Sequence, residues 1–176
     1  IDENIDTGEV ILQEEIEIGP RESAGELHDK LMRAGAGLIV ETLTRIAENT
    51  IHPRKQEGSG DLKPAPKLTP ENTKIDFKKP LSFIYNQIRG LSPYPVAWAW
   101  LSHGRKEVRC KIYRAEKEEL ENDFPPGMVL KEGKSLKVAV KNGFLILREI
   151  QLPGKRKMEV KDLLNGFELG ENPMLR

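Results

Sequence analysis

Five short segments in the second half of the chain restrict the fold more than any other feature of the sequence. Their side chains alternate along the segment in the way expected of strands, and Gly-containing turns such as Asn142-Gly143 separate them. In chain order they are AWAWL, EVRCKIYRAE, GMVLKEG, SLKVAVKNG and FLILREIQLPG. Strands of this number and spacing predict a small barrel.

Short helices are predicted on both sides of these strands. PLSFIYNQIRGL precedes them, with Pro80 in its first turn and Gly90 as its C-terminal stop, and EVKDLLNG follows them. We therefore assign residues 74–176 to an all-β barrel domain with short helices. Residues 51–73 are rich in proline and have no apolar period, so we interpret them as a linker.

Residues 1–50 read as a piece of a larger α/β domain. Val10–Ile18 is rich in β-branched residues and predicts a strand, and an S-x-x-E capping box at Ser23 and Glu26 opens a predicted helix from Ala24 to Glu48. One strand and one helix cannot bury each other, because a lone strand leaves both edges unpaired. Self-association of the chain through this orphan strand is an alternative.

The charge is divided between the two halves of the chain. Residues 1–62 hold 6 Lys and Arg against 14 Asp and Glu, a balance of −8, whereas residues 63–176 hold 22 against 14, a balance of +8. A basic β-rich half predicts an anionic partner such as RNA, which binds largely through its phosphates. The candidate phosphate-binding residues are Lys63, Lys67, Lys106, Arg109, Lys111, Lys137 and Lys141. For any one of these residues, the alternative is that it belongs to a solvated surface and binds no phosphate.

Two tryptophans and one cysteine fall on the predicted strands. Trp98 and Trp100 alternate with alanine, and we expect them in the barrel core, with base stacking as the alternative. Alternation also predicts a core position for Cys110. A single cysteine excludes an internal disulfide and favours a reducing compartment, so we expect a cytoplasmic protein. We expect neither a membrane span nor a metal site, since no apolar stretch is long enough and the histidines are scattered.

Several motifs together resemble the methionyl-tRNA formyltransferase family over essentially all 176 residues. In chain order they are DENIDTGEVILQ, ELHDKL, PRKQ, APKL, KIDF, NQIRGLSPYPVAW and KDLLNG. The resemblance implies transfer of a formyl group from 10-formyltetrahydrofolate to the amino group of methionyl initiator tRNA. It also implies that residues 1–50 are the end of a Rossmann-like catalytic domain, and that residues 74–176 are an OB-like tRNA-binding barrel. The full-length enzyme is expected to be a monomer.

The resemblance also assigns roles to the acidic segment at the beginning of the sequence. Asp6 matches the family's catalytic aspartate, and Glu3, Asn4 and Ile5 would line the pterin end of the folate site. The family's catalytic Asn and His belong to an Asn-His-Pro-Ser segment that is absent from these 176 residues. We therefore expect the isolated chain to be inactive. From the residues alone, Asp6 could instead form an Asx-turn with Gly8.

Two other functions fit parts of the sequence. One is another folate-dependent formyltransferase, of the kind that acts on sugar nucleotides, although a small substrate does not require a wide basic face. The other is a non-catalytic RNA-binding OB module, which leaves the acidic Asp-Thr-Gly loop and the predicted strand-helix unit unexplained.

Overall fold

The computed structural model describes residue 3 and residues 5–56, 64–103 and 106–176. The chain divides into two compact units. Unit 1 comprises Ile1–Glu22 and Glu26–Lys67, and unit 2 comprises Ser23–Gly25 and Leu68–Arg176. In the ranges that the structure describes, no helix combines the length and the apolar character needed to cross a lipid bilayer.

Unit 1 contains most of helix α1 (Ala24–Ala47), which confirms the predicted helix. None of the residues of α1 is buried, and several large apolar side chains along it are exposed, among them Leu31, Ile39 and Leu43. The helix thus carries an apolar surface that the described part of the chain leaves uncovered. Such a surface is normally packed against another element.

The predicted strand Val10–Ile18 is wrong. Residues 11–18 have no regular secondary structure, and Val10 alone forms a bridge, by exchanging two backbone hydrogen bonds with Arg54 at 2.9 and 3.0 Å. A β-branched sequence favours extended backbone, but a strand also needs a neighbour that pairs with it over several residues. Within the described residues, Arg54 supplies only a single such contact.

Unit 2 is built on one antiparallel sheet. The strands are β1 (Ala97–His103), β2 (Lys106–Glu118), β3 (Val129–Glu132), β4 (Ser135–Val140), β5 (Gly143–Gln151) and β6 (Met158–Glu159). Their order is β1-β2-β5-β4-β3, and β6 pairs with one end of β5. The first five strands match the five alternating segments, so the strand predictions are confirmed. The helices of this unit are α2 (Pro70–Thr73), α3 (Leu81–Gly90) and α4 (Val160–Leu163).

The core of unit 2 lies on the inner face of this sheet, where α3 packs against β2 and β5. Ile84 and Ile88 of α3 meet Cys110 and Ile112 of β2 there, and all four are at most 1% exposed. The core position predicted for Cys110 is confirmed. Burying apolar side chains of this size is the main stabilising contribution to such a domain, at about 1.5–3 kcal/mol for each fully buried side chain.

The six strands do not close into a barrel, so the predicted barrel is not confirmed. The last residues of the chain lie between the two edges of the sheet and form isolated bridges. Leu175 pairs with Leu101 of β1, and Met174 pairs with Met128, just ahead of β3. The C-terminal residues 173–176 therefore occupy both sheet edges and limit their exposure, which is one way of protecting unpaired strand edges.

Candidate nucleic-acid interface

The two tryptophans of β1 lie on the face of the sheet opposite the main core cluster. Trp98 is nevertheless buried, as predicted, whereas Trp100 is 37% exposed, so the predicted core position is wrong for Trp100. Ala97 and Ala99 are fully buried and belong to the core cluster together with Leu101, which is 3% exposed. Alternation along the strand places Trp98 and Trp100 on the opposite face. Both faces of the strand AWAWL carry apolar residues, so the sequence does not indicate which face is buried. The core accepts the small side chains and excludes the wide ones.

Each tryptophan lies between two cationic residues in the pairing register. Trp98 pairs with Lys111 of β2 on one side and bridges to Lys74 on the other. Trp100 pairs with Arg109 of β2, and on its other side it exchanges backbone hydrogen bonds of 2.7 and 2.8 Å with Arg176. Residues directly opposite each other in a sheet present their side chains on the same face. We refer to Lys74, Trp98, Trp100, Arg109, Lys111 and Arg176 as the aromatic–cationic face.

Trp98 is the anchored member of this face. It is 8% exposed, and its indole N–H donates a hydrogen bond of 2.9 Å to the carbonyl of Pro70. The guanidinium carbon of Arg109 lies 4.1 Å from the centre of its ring, and the ammonium of Lys74 lies 5.8 Å from it. Attraction of cations to the ring face holds both groups over the indole.

Trp100 is the accessible member. Its ring meets that of Trp98 edge to face, at 5.4 Å between centroids and an interplanar angle of 90°, and it is 37% exposed. Contact with an anchored neighbour fixes the position of the ring without covering it.

Ion pairing divides the cations of the sheet into two groups. Near β4, the ammonium of Lys137 lies 2.9 Å from Glu118 and 3.0 Å from Glu132, and these two carboxylates, Glu118 first, raise the pKa of Lys137. Arg148 and Glu116 form another such pair at 2.6 Å. Within the described part of the chain, Lys74, Arg109 and Lys111 make no contact of this kind, and Arg176 reaches Glu107 only at 3.8 Å. Lys74, Arg109 and Lys111 therefore leave positive charge uncompensated beside the two tryptophans, as exposed lysines such as Lys131, Lys134 and Lys141 do elsewhere in unit 2.

A groove borders this face on the β2 side. It has a volume of about 260 Å³, and Arg109, Lys111, Gln151, Leu152, Pro153 and Gly154 line it. The lining combines two cations with apolar and amide groups and contains no carboxylate. Such a lining suits a phosphate next to the apolar side of a sugar or a base.

The predicted phosphate-binding residues separate in the structure. Arg109 and Lys111 lie together on the outer face of β2, and Lys106 begins that strand and is exposed. Lys137 belongs to the ion-paired group, and Lys141 is exposed just after β4. Lys67 is exposed ahead of α2, and Lys63 lies outside the described residues. The sequence reasoning missed Lys74 and Arg176, because their neighbours on the face are distant in sequence.

The predicted catalytic segment lies in unit 1. Asp6 is exposed and has a φ of 60°, in the left-handed region. The side-chain amide of Gln56 donates hydrogen bonds to the carbonyls of Asp6 and Gly8, at 3.0 and 2.7 Å. Gln56 was also missed from the sequence. Together with the Val10–Arg54 bridge it fixes the loop from a distance of about fifty residues along the chain.

The other predicted folate-site residues are only partly described. Glu3 is exposed, Ile5 is 90% exposed, and Asn4 lies outside the described residues. Over the ranges that the structure covers, no three His, Cys, Asp or Glu side chains are placed to share a metal ion.

Comparison with protein families and curated sequences gives consistent matches. The family model described as "Formyl transferase, C-terminal domain" matches residues 67–168. The chain is 44% identical over 171 residues to the methionyl-tRNA formyltransferase of Flavobacterium johnsoniae, which covers 97% of this chain and 54% of the relative. It is 42% identical over 170 residues to that of Parabacteroides distasonis, covering 93% and 52%. The chain thus spans about half the length of the curated relatives it matches.

Several solved structures resemble the chain, among them the following two. One is an N-formyltransferase from Helicobacter canadensis in complex with folinic acid and dTDP-3-aminofucose, with a TM-score of 0.61 and 25% identity over 84% of this chain and 52% of that one. The other is HypX from Aquifex aeolicus, with a TM-score of 0.67 and 16% identity over 96% of this chain and 30% of that one. The latter likeness shows the fold alone.

Proposed function

The chain belongs to the formyl transferase family, and we propose that it is part of an enzyme that transfers a formyl group from 10-formyltetrahydrofolate to the amino group of methionyl initiator tRNA. The observation that carries this proposal is the 44% identity, over 97% of the chain, to a protein named methionyl-tRNA formyltransferase. The folinic acid in complex with the Helicobacter canadensis enzyme supports a tetrahydrofolate-type donor. A role in translation initiation supports a cytoplasmic location.

In this proposal, Asp6 is the catalytic carboxylate. Attack of an amine on the formyl carbon gives a tetrahedral intermediate, and protons must then move between two nitrogens. A carboxylate that orients a neighbouring base or a water serves this transfer. The hydrogen bonds from Gln56 to the backbone on both sides of Thr7 support the role, because they hold the loop that carries Asp6. Glu3, Asn4 and the exposed Ile5 would then border the pterin.

The domain organisation is proposed to be that of the family. Residues 1–50 would be the end of the catalytic domain, 51–73 a linker, and 74–176 the tRNA-binding domain. The apolar surface of α1 would pack against the remainder of the catalytic domain, which the relatives have and these 176 residues lack. An OB-like arrangement of the second domain is supported by the C-terminal residues, which pair with both edges of the sheet.

The aromatic–cationic face is proposed to bind the tRNA. Lys74, Arg109 and Lys111 lack carboxylate partners in the described part of the chain, so phosphates can bind to them without displacing an existing ion pair. Binding of this kind fixes the position of the tRNA and does not by itself recognise its sequence. Selection of the initiator tRNA is therefore assigned to other parts of the enzyme.

A sugar-nucleotide formyltransferase is the second candidate, favoured by the 25% identity to the Helicobacter canadensis protein. The two candidates differ in the size and charge of the amine substrate. A dTDP-amino sugar carries one pyrophosphate, whereas a tRNA presents phosphates along its whole length. A broad face with unpaired cations is more useful for the second substrate.

A chimeric enzyme tests the proposal. The portion of the Flavobacterium johnsoniae relative that this chain does not match would be fused to the chain, and formylation of methionyl-tRNA from 10-formyltetrahydrofolate would be followed. We expect transfer by the chimera and none by the 176-residue chain. Asp6→Asn in the chimera is expected to lower kcat by at least about 100-fold, while Glu9→Gln, at a nearby exposed acid, leaves it nearly unchanged.

Two outcomes would overturn the proposal. In one, a folded chimera fails to formylate methionyl-tRNA under conditions in which the intact relative does so. In the other, the chimera formylates a dTDP-amino sugar and not the tRNA, which would establish the second candidate. Turnover by the unfused chain would contradict the assignment of the missing Asn and His to catalysis.

A further inference from the structure

We propose that Trp100 is a stacking platform for an RNA base that is not paired in a duplex, and that Arg109 and Arg176 on either side of it bind the phosphates of the same strand. The inference rests on the proposed function, because it takes the bound macromolecule to be RNA. It goes further in naming the part of the RNA that is recognised and the side chain that recognises it.

The arrangement around Trp100 differs from that of an ordinary exposed aromatic residue. Arg109 and Arg176 lie directly opposite it in the pairing register, one on each neighbouring segment. Trp98 meets it edge to face on the same strand and is itself held by a hydrogen bond to Pro70. The accessible ring is therefore positioned before a ligand arrives, and little conformational entropy is lost when a base stacks on it.

The charge of the surroundings selects the ligand. Arg109, Lys111 and Lys74 have no ion-pair partner among the described residues, whereas Lys137 and Arg148 are paired with glutamates. Trp100 lies between Arg109, which is not ion-paired within the described residues, and Arg176, which reaches Glu107 only at 3.8 Å. An aromatic ring in such surroundings attracts a group that is itself both aromatic and anionic. A nucleotide combines a flat π-system with a phosphate, and single-stranded nucleic acids bind in this way to aromatic residues in basic grooves.

The stacking partner must be an unpaired base. In an A-form duplex each base is covered by its neighbours, and the deep, narrow major groove does not admit side chains. Bases in loops, bulges and single-stranded ends are available to an aromatic side chain. The site is therefore expected to distinguish single-stranded from double-stranded segments of a structured RNA.

Fluorescence anisotropy with three labelled RNA probes tests the inference on the 176-residue chain. The probes are an unstructured 12-nucleotide RNA, a blunt duplex of the same sequence, and an abasic strand that has the same sugar–phosphate backbone. We expect Trp100→Ala to weaken binding of the unstructured RNA by about 5- to 100-fold. Its effect on the duplex and on the abasic strand is expected to stay within about twofold.

Two variants serve as controls. Trp100→Phe keeps an aromatic ring and should recover most of the affinity for the unstructured strand. Tyr94→Ala removes another exposed aromatic residue of unit 2, which is 86% exposed and outside the aromatic–cationic face, and should change none of the three affinities. Thermal unfolding of each variant establishes that unit 2 remains folded.

The outcomes separate this inference from the proposed function. Equal weakening for all three probes by Trp100→Ala would overturn stacking, and so would unchanged affinity for the unstructured strand. A failure of the strand to bind at low salt would also overturn it. If the chimera formylates methionyl-tRNA while Trp100→Ala has no effect on the probes, the inference alone fails. If stacking is observed but the chimera is inactive, the proposed enzyme function alone fails.

Discussion

Lys111 and Lys137 allow a matched test of whether ion pairing decides which cations bind RNA. Both are half-buried lysines on the outer face of the sheet of unit 2, and both were predicted from the sequence to bind phosphate. Lys137 lies between Glu118 and Glu132 at 2.9 and 3.0 Å, whereas Lys111 has no carboxylate partner within the described residues. We expect Lys111→Gln to weaken tRNA binding and Lys137→Gln to leave it nearly unchanged.

The expected magnitude follows from counterion release. The affinity for RNA falls as salt concentration rises, so the slope of log K against log salt concentration is negative. Loss of one phosphate contact makes this slope less steep by about 0.7 for single strands and about 0.9 for duplex. At 0.1 M salt, one decade below 1 M, this corresponds to about a 5- to 8-fold loss of affinity. For Lys137, a phosphate would have to replace two carboxylates that already neutralise the ammonium, so its contribution to the slope should be close to zero.

The assay is fluorescence anisotropy of labelled tRNA, titrated with the 176-residue chain at four salt concentrations between about 0.05 and 0.2 M. Wild type, both single variants and the double variant are compared. If Lys137→Gln reduces the steepness of the salt dependence as much as Lys111→Gln does, local ion pairing does not select the binding residues. If neither variant alters the slope, the aromatic–cationic face is not the RNA site.

Two further predictions concern the stability of unit 2, which contains both tryptophans of the chain, so that their fluorescence reports its unfolding. Burial raises the pKa of the Cys110 thiol to about 12; stability should therefore fall by about 1.4 kcal/mol per pH unit above the pKa of the unfolded thiol. Cys110→Ala should remove this loss of stability. Parallel profiles of unfolding free energy against pH for the wild type and Cys110→Ala would contradict the prediction. Gly127 has a φ of +90°, and an added Cβ would overlap the carbonyl oxygen of Leu175. Gly127→Ala should thus destabilise unit 2 by more than the roughly 1–2 kcal/mol of Gly133→Ala, where the Cβ meets open space; equal midpoints in urea would refute this.

The strands and the main helices could be predicted because their signals are local. Alternation, Gly-containing turns and helix-terminal residues each act over a few positions, and they identified α1, α3, α4 and β1 to β5. Val10–Ile18 lacked the second requirement of a strand, which is a partner. Pairing depends on residues far away in the sequence, so β-branched composition alone could not decide it.

The site was predictable only in part for the same reason. Arg109 and Lys111 were identified because they alternate on one strand. Lys74 and Arg176 join them through a parallel bridge and through the C-terminal residues, and these are contacts that no local pattern contains. The +8 balance of the second half indicated an anionic partner but did not locate its site, since part of that charge is compensated by glutamates near β4.

The outer position of Trp98 and Trp100 connects the fold of unit 2 to its proposed function. A strand has two faces, and the core of unit 2 accepts Ala97 and Ala99 at full burial, so the wide side chains of AWAWL must lie outside. An exposed tryptophan in a soluble protein leaves apolar area in contact with water unless a ligand covers it. Here β2 and the C-terminal segment place Arg109 and Arg176 beside it, and in the proposed function these arginines attract the phosphates of a ligand whose bases cover the ring. The small residues that β1 contributes to the core therefore leave its tryptophans on the outer face, which is the face proposed to bind nucleotides.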